Sequence, residues 1–336
     1  MYNKHLFNYV LFTSVVLSLC FGLSCTNEAE PENTGNTEPD PPVFEWREFE
    51  IPFEPATSKW HPYYYQADSL NDVWGNAPDN IYAVGSNGTI LHYNGTEWKK
   101  MVSNTVAYLT GIWGSSSDNI FAVGDNGTIL HYNGTYWKPM ESGTTDELLS
   151  IWGSSSRDVF IAIALSGTVL HFDGVNWKPV KTPLDSLYWG MLWDFWGTSS
   201  NNIYAVGSYT AIFHWNGNEW SVLSKGDDWL SILKAVWGSS PNNIYAAGFS
   251  GEFWHYDGDE WSKKENARYE IRDIWGTSPD NIYAVGHLGS ILHYDGDDWS
   301  YLNSGTMDTL YGIWGSSDDN IFIVGEKGVI LHYTGE

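Results

Sequence analysis

The chain has 336 residues, 16 basic and 41 acidic, for a formal charge of −25. A field of that sign disfavours nucleic acid and anionic membrane surfaces as ligands, because both are polyanions. Two cysteines exclude a disulfide-dense scaffold, and 336 residues fit one large domain if a closed ring of repeats replaces the usual two-domain division.

In chain order, the first element is a targeting segment. Met1–His5 carries Lys4, and Leu6–Phe21 is largely apolar but short for a membrane span. Gly22-Leu23-Ser24-Cys25 follows. It resembles a bacterial lipobox, in which small residues precede a cysteine that is diacylated and becomes the mature N-terminus; Gly22 stands where Leu is usual. The resemblance implies a lipoprotein signal peptide over 1–25, lipidation at Cys25, and an outer-membrane lipoprotein that is periplasmic or surface-exposed. Cys20 would leave with the signal, so Cys25 would be the only mature thiol. With Lys4 removed, the mature charge is 15 − 41 = −26.

Residues 26–42 hold Glu28, Glu30, Glu32, Glu38, Asp40 and four prolines, with no basic or aromatic residue. Such a segment buries too little apolar surface to offset its ordering entropy. It reads as a disordered tether of roughly 20–25 Å root-mean-square span. An acidic run just after the lipidated cysteine resembles surface-export signals of Bacteroidota lipoproteins.

From residue 43 onward the chain is repetitive. Trp-Gly recurs seven times, at Trp74, Trp113, Trp152, Trp196, Trp237, Trp275 and Trp314. Each is followed by a His-aromatic pair, at His92, His131, His171, His214, His255, His293 and His332. A period near 40 residues built from short β-rich runs and turns signals a β-propeller. In the second repeat, strand a reads as Leu109–Trp113, b as Asn119–Val123, c as Thr128–Tyr132, and d starts near Trp137. Asn-Gly or Asp-Gly, as at Asn94-Gly95 and Asp257-Gly258, suits the tight c–d hairpins. The expected fold is all-β: seven blades of four antiparallel strands over 43–336. The seventh repeat stops at Glu336 without a strand-d Trp, while Phe44–Phe49 reads as a strand d with nothing before it. The N-terminal strand should complete the last blade and cover its edge.

The repeat resembles the Trp-Gly-Ser-Ser-x-Asp-Asn-Ile-Tyr-Ala-Val-Gly propellers of exported bacterial proteins, many of them lipoproteins. It is more distantly similar to the propeller factor that helps assemble photosystem II. The resemblance spans about residues 44–336 and implies a fold rather than a function, since propellers host lectins, hydrolases, lyases and assembly factors.

The seven histidines do not read as a metal site. On strand c they lie about 10 Å outside strand a, at roughly 4.8 Å per strand, and diverge outward. A hydrogen bond to the Ser or Asp of the a–b turn is the expected role. The acidic turns Asp257-Gly258-Asp259-Glu260 and Asp295-Gly296-Asp297-Asp298 lack the ligand order of an EF-hand. No metal, cofactor or catalytic residue is expected. A sialidase-like arginine triad is not formed by Arg47, Arg157, Arg268 and Arg272, and a galactose-oxidase-like copper site lacks its Cys. Paired carboxylates for glycoside hydrolysis remain open.

Length varies almost only in the d-to-a connections, which in propellers share a face with the b–c loops. Variable loops on a rigid frame are where binding resides. These connections carry Trp60, His61 and Tyr63–Tyr65, then Tyr188, Trp189 and Trp193, then Trp229; the b–c loops of blades 4 to 6 add Tyr209, Phe249 and His287. The residue three before each strand-a Trp varies, and near the channel mouth Trp193, Asp194, Lys234, Arg272 and Asp273 should cluster. Aromatics beside charges suit sugar recognition; the alternative is that they plug the channel and pair internally. The expected ligand set is Trp193, Asp194, Lys234, Arg272, Asp273, Tyr209, Trp229 and Trp60. The expected function is a membrane-tethered, non-catalytic recognition module. It would be a monomer with a carbohydrate ligand, or alternatively a protein-interaction scaffold or assembly factor; a glycoside hydrolase or lyase is third. Membrane contact would be through the lipid only. Arg157, in an a–b turn, marks the opposite face.

Overall fold

The computed structural model describes residues 44–49, 69–186, 190–226, 231–264 and 267–335. Cys25, the acidic segment 26–42, Trp60, Tyr188, Trp189 and Trp229 lie outside them.

Seven four-stranded antiparallel sheets form a β-propeller. In blade 2 the strands are a, Leu109–Ser116; b, Asn119–Gly124; c, Ile129–Tyr132; and d, Trp137–Met140. Strand a therefore runs three residues past the Trp113 end expected from sequence. Ser115 and Ser116 look like turn residues, but Ser116 pairs with Asn119 across a register shift after Gly114, so the turn is only Ser117-Asp118. The inner strands adjoin one another in order around the ring, and blade 7 adjoins blade 1.

Closure is as the repeat implied. Trp46–Glu48 pairs antiparallel with Ile330–Tyr333, placing Trp46 opposite Tyr333 and Glu48 opposite Leu331. Phe44 packs on Tyr283 and His293 of blade 6, and Phe49 on Tyr93 of blade 1. The closing strand thus covers the open edge of blade 7 and touches both neighbouring blades.

The two sequence marks have distinct physical causes. A Cβ on Gly114 would lie 2.6 Å from the indole of Trp74, and one on Gly75 would lie 2.7 Å from Trp314. The same contact recurs at all seven blades, so each strand-a Trp packs on the glycine of the next blade and no other residue leaves room. The histidines hold each blade together across its own strands. His131 Nε2 lies 2.6 Å from Asn119 Oδ1, and Asn119 Nδ2 donates to Ser115 Oγ at 2.7 Å, linking c, b and a. The partner is thus the Asn after the turn rather than the expected Ser or Asp, except in blade 3, where His171 meets Asp158 at 2.7 Å. Each imidazole also packs against the strand-b aromatic, as His332 does on Phe322 with centroids 3.9 Å apart. Among the described residues no group of three or more His, Cys, Asp or Glu is arranged to hold a metal ion.

Seven hydrophobic clusters fill the molecule, and each joins two successive blades. Among the described residues the apolar free energy of folding lies in the interfaces between sheets.

Candidate functional site

The b–c turns and d–a connections do share one face. Backbone bonds tie them directly: Gly88 N–H donates to Ala107 O at 2.7 Å, and Gly127 N–H to Asp146 O at 2.9 Å. At this face every strand a opens with a β-bulge. The register shifts between Leu70 and Asp72, and likewise in the other six blades. A bulge leaves one residue unpaired and re-aims its side chain. In six blades that residue is the one three before the Trp: Asn71, Thr110, Trp193, Lys234, Arg272 and Tyr311. This is why that position escapes the apolar rule of its neighbours.

These side chains form a belt, most of them reaching a neighbouring blade. Asn71 Nδ2 donates to Leu109 O at 2.6 Å, and the Thr110 hydroxyl to Leu148 O at 2.6 Å. The Lys234 ammonium sits 4.3 Å from the centre of the Trp193 ring, and the Arg272 guanidinium 5.6 Å from that of Tyr311. Glu270 lies between the two cations, its Oε1 3.3 Å from Lys234 Nζ and 3.1 Å from Arg272 Nε. Neither Arg272 Nε nor Glu270 Oε1 makes an aligned hydrogen bond, so the attraction between these two atoms is Coulombic rather than directional. The Tyr311 hydroxyl donates to Glu326 Oε1 at 3.1 Å. Burial, then repulsion from Arg272, lowers the Lys234 ammonium to about 8.

One residue further from the face, Asp72, Asp194 and Asp273 hold blades together. Asp194 Oδ2 accepts from Val236 N–H of blade 5 at 2.9 Å and Oδ1 from Ser150 Oγ of blade 3 at 3.2 Å. Asp273 accepts from Ile274 N–H at 2.7 Å and from Ile313 N–H of blade 7 at 2.8 Å; Asp72 does the same with Val73 at 2.8 Å and Ile112 at 2.7 Å. The matching residue of each receiving blade is small: Gly111, Ala235 and Gly312. Each aspartate keeps a little surface toward the axial channel, yet protein encloses its carboxylate. Burial raises Asp72 and Asp194 to about 7. Asp273 rises well above the usual range through burial, with repulsion from Asp194 and Asp72 adding to it.

The b–c turns supply the outer part of the face. Their central residue is left-handed in every blade: Asn87, Asn126, Leu165, Tyr209 with Thr210, Ser250, Leu288 and Lys327. Asn and Ser tolerate this conformation; leucine does so at a cost of roughly 1–2 kcal/mol. Leu165 and Leu288 nonetheless stand there 58% and 36% exposed, and Phe249 beside them is 44% exposed. With Tyr209 they form an arc over blades 3 to 6, where blades 1, 2 and 7 carry Ser86-Asn87, Asp125-Asn126 and Glu326-Lys327. Strained residues kept at exposed positions point to use.

The structure therefore brings Trp193, Lys234 and Arg272 into one belt and adds Glu270, which sequence reading passed over because it lies in a loop outside the repeat. Asp194 and Asp273 sit beneath that belt with both oxygens engaged by the scaffold. Tyr209 stands on the arc, its ring 5.5 Å from Lys225 Nζ. Leu165 and Leu288 were also passed over; their signal was Leu where the repeat has Asn. Arg157 stands in the a–b turn of blade 3, between Ser155 and Asp158. It lines a groove of about 470 Å³ between blades 2 and 3, with Asp118, Phe121, His131, Met140 and Phe172.

No protein-family model and no curated protein sequence matches the chain. Solved structures do. The chain is similar to YCF48 bound to D1 peptide, with a TM-score of 0.66 at 16% identity over 87% of this chain and 99% of that one. It is similar to YCF48 from Cyanidioschyzon merolae, with a TM-score of 0.65 at 15% identity over 86% and 98%. The WD40 β-propeller domain of Doa1 gives 0.67 at 13% identity over 81% and 94%. The two YCF48 structures are photosystem II assembly-factor propellers, the more distant likeness drawn from the repeat. At these identities the likeness is one of fold.

Proposed function

We propose that the protein is a membrane-tethered, non-catalytic recognition module that binds a protein partner on the loop face, with Cys25 carrying the lipid. The observation that carries this is the arc of Leu165, Tyr209, Phe249 and Leu288. Six of the large exposed apolar residues, Val102, Val106, Leu165, Phe249, Leu288 and Met307, lie on b–c turns or d–a connections, against Tyr136 and Val175 on the turn face. Apolar exposure gathered on the face that carries a charged belt suits a protein interface. Sugar stacking is the weaker reading, because a cation already covers one face of Trp193 and of Tyr311. That one neighbour, YCF48, is seen with a peptide agrees with a protein ligand.

The test exploits the strained leucines. Leu165→Asn with Leu288→Asn installs the residue that blades 1 and 2 use. It should raise stability by about 1 kcal/mol per site while abolishing capture of those envelope proteins that the wild type enriches. If both forms enrich the same proteins, the arc is not the interface. Binding of soluble glycans that survives the double substitution but is lost in Trp193→Ala would favour carbohydrate instead.

A further inference from the structure

We propose that the belt between blades 5 and 6 is a seat for a carboxylate side chain on an acidic, apolar-flanked peptide segment of the partner, received by Arg272 and Lys234. This rests on the recognition reading above and gives its ligand a chemistry.

Two cations meet a single carboxylate, and among the described residues Glu270 is the one acid paired with either of them. Four further carboxylates on this side of the ring have donors of their own. Glu326 accepts from Thr309 N–H at 3.1 Å and from the Tyr311 hydroxyl, and the three clip aspartates accept from backbone amides. Lys234 and Arg272 therefore share one ion-pair partner, in a protein of formal charge −25. Arg272 Nε makes no aligned hydrogen bond to Glu270, although guanidinium is built for a two-point grip on a carboxylate. Exposure grades outward: the side chains of Lys234 and Glu270 are 13% and 14% exposed, that of Arg272 is 30%. Arg272 is the edge an incoming group meets first, and the Tyr311 ring backs it. Lys234, backed by Trp193, adds charge from below. Glu270 acts as an internal stand-in that an arriving carboxylate supplements or displaces. The apolar arc lies on the same face and on the same blades, so the occupant that satisfies both is a peptide alternating acidic and apolar residues rather than a free anion.

The test uses the full-length protein in detergent and three probes. Two are N-acetylated, C-amidated nonapeptides, one alternating Leu and Glu and the other Leu and Gln; the third is oligogalacturonate. The Glu peptide should bind about tenfold more tightly than the Gln peptide. Arg272→Gln and Lys234→Gln should each erase most of that difference, whereas Lys99→Gln, an exposed outer-strand control of equal charge, should not. Glu270→Gln should tighten the Glu peptide about threefold or more and leave the Gln peptide unchanged, a gain that a folding defect cannot imitate. Equal binding of the two peptides, or no binding of either, overturns the carboxylate seat. So does oligogalacturonate binding that depends on Arg272 while the peptides fail; that result would assign the seat to an acidic glycan. If the peptides bind equally and Leu165→Asn with Leu288→Asn weakens both, the recognition face stands without the seat. If the leucine variants also leave both unchanged, the recognition reading falls with it.

Discussion

Asp194 shows how a residue can be placed correctly and yet do different work from what its type suggests. A carboxylate near a channel mouth reads as a ligand group. Its hydrogen-bond partner is Val236, 42 residues away in another blade, and no local pattern announces that contact. Its titration is testable. The folded carboxyl is raised from 3.8 to about 7, so it favours folding in acid, and that contribution is lost as pH rises from about 4 to about 7. The buried histidines act oppositely. Burial lowers His92, His131, His214, His255, His293 and His332, so stability present above 6.5 is lost as pH falls, toward about 4 for His332. Asp194→Asn keeps one acceptor, loses the other, and removes the ionisable group. Its stability deficit should be largest near pH 4, of order 1 kcal/mol, and should shrink or reverse by pH 8 when measured by denaturant unfolding. A deficit that grows with pH would mean that the amides hold an ionised carboxylate.

At the scale of the strand, most of the ladder was legible and the bulge was not. Alternation, Asn-Gly turns and the orphan Phe44–Phe49 segment marked the strands and the closure. A bulge is a mismatch of two strands in register, so it has no signature in either strand alone. It was visible only indirectly, as a hypervariable position before each Trp. The closing strand yields the prediction at this scale. Removing residues 26–42 should leave the melting temperature nearly unchanged, whereas removal through Phe49 unpairs Ile330–Tyr333 and strips Phe44 and Phe49 from blades 6 and 1. That second truncation should lower it by several degrees or more, since a loss of a few kcal/mol moves a domain of this size by that amount. Equal melting temperatures would show that the ring closes without the strand.

For the whole molecule, seven inter-blade clusters make each blade depend on two neighbours, so the ring should unfold as one unit rather than blade by blade. A rigid ring leaves function to its faces. The proposed lipidation is tested separately: Cys25→Ser should move the protein from the membrane to the soluble fraction and abolish incorporation of labelled acyl chains. Acyl label retained by the variant, or a wild type that is soluble throughout, would refute lipidation.

By itself the sequence determined the blade number, the strand order, the closure and the face on which variation gathers. Each of these follows from contacts that repeat with the period of the chain: Trp on the next blade's Gly, His on its own blade's Asn or Asp. A contact made seven times leaves its mark seven times. The tertiary structure alone decided what the exceptional residues do. Glu270 between Lys234 and Arg272, Asp194 clipping Val236, and Leu165 strained at a turn each occur once, and each depends on which blades adjoin and on which side chain a bulge turns outward. A single contact across a blade interface has no period for the sequence to record.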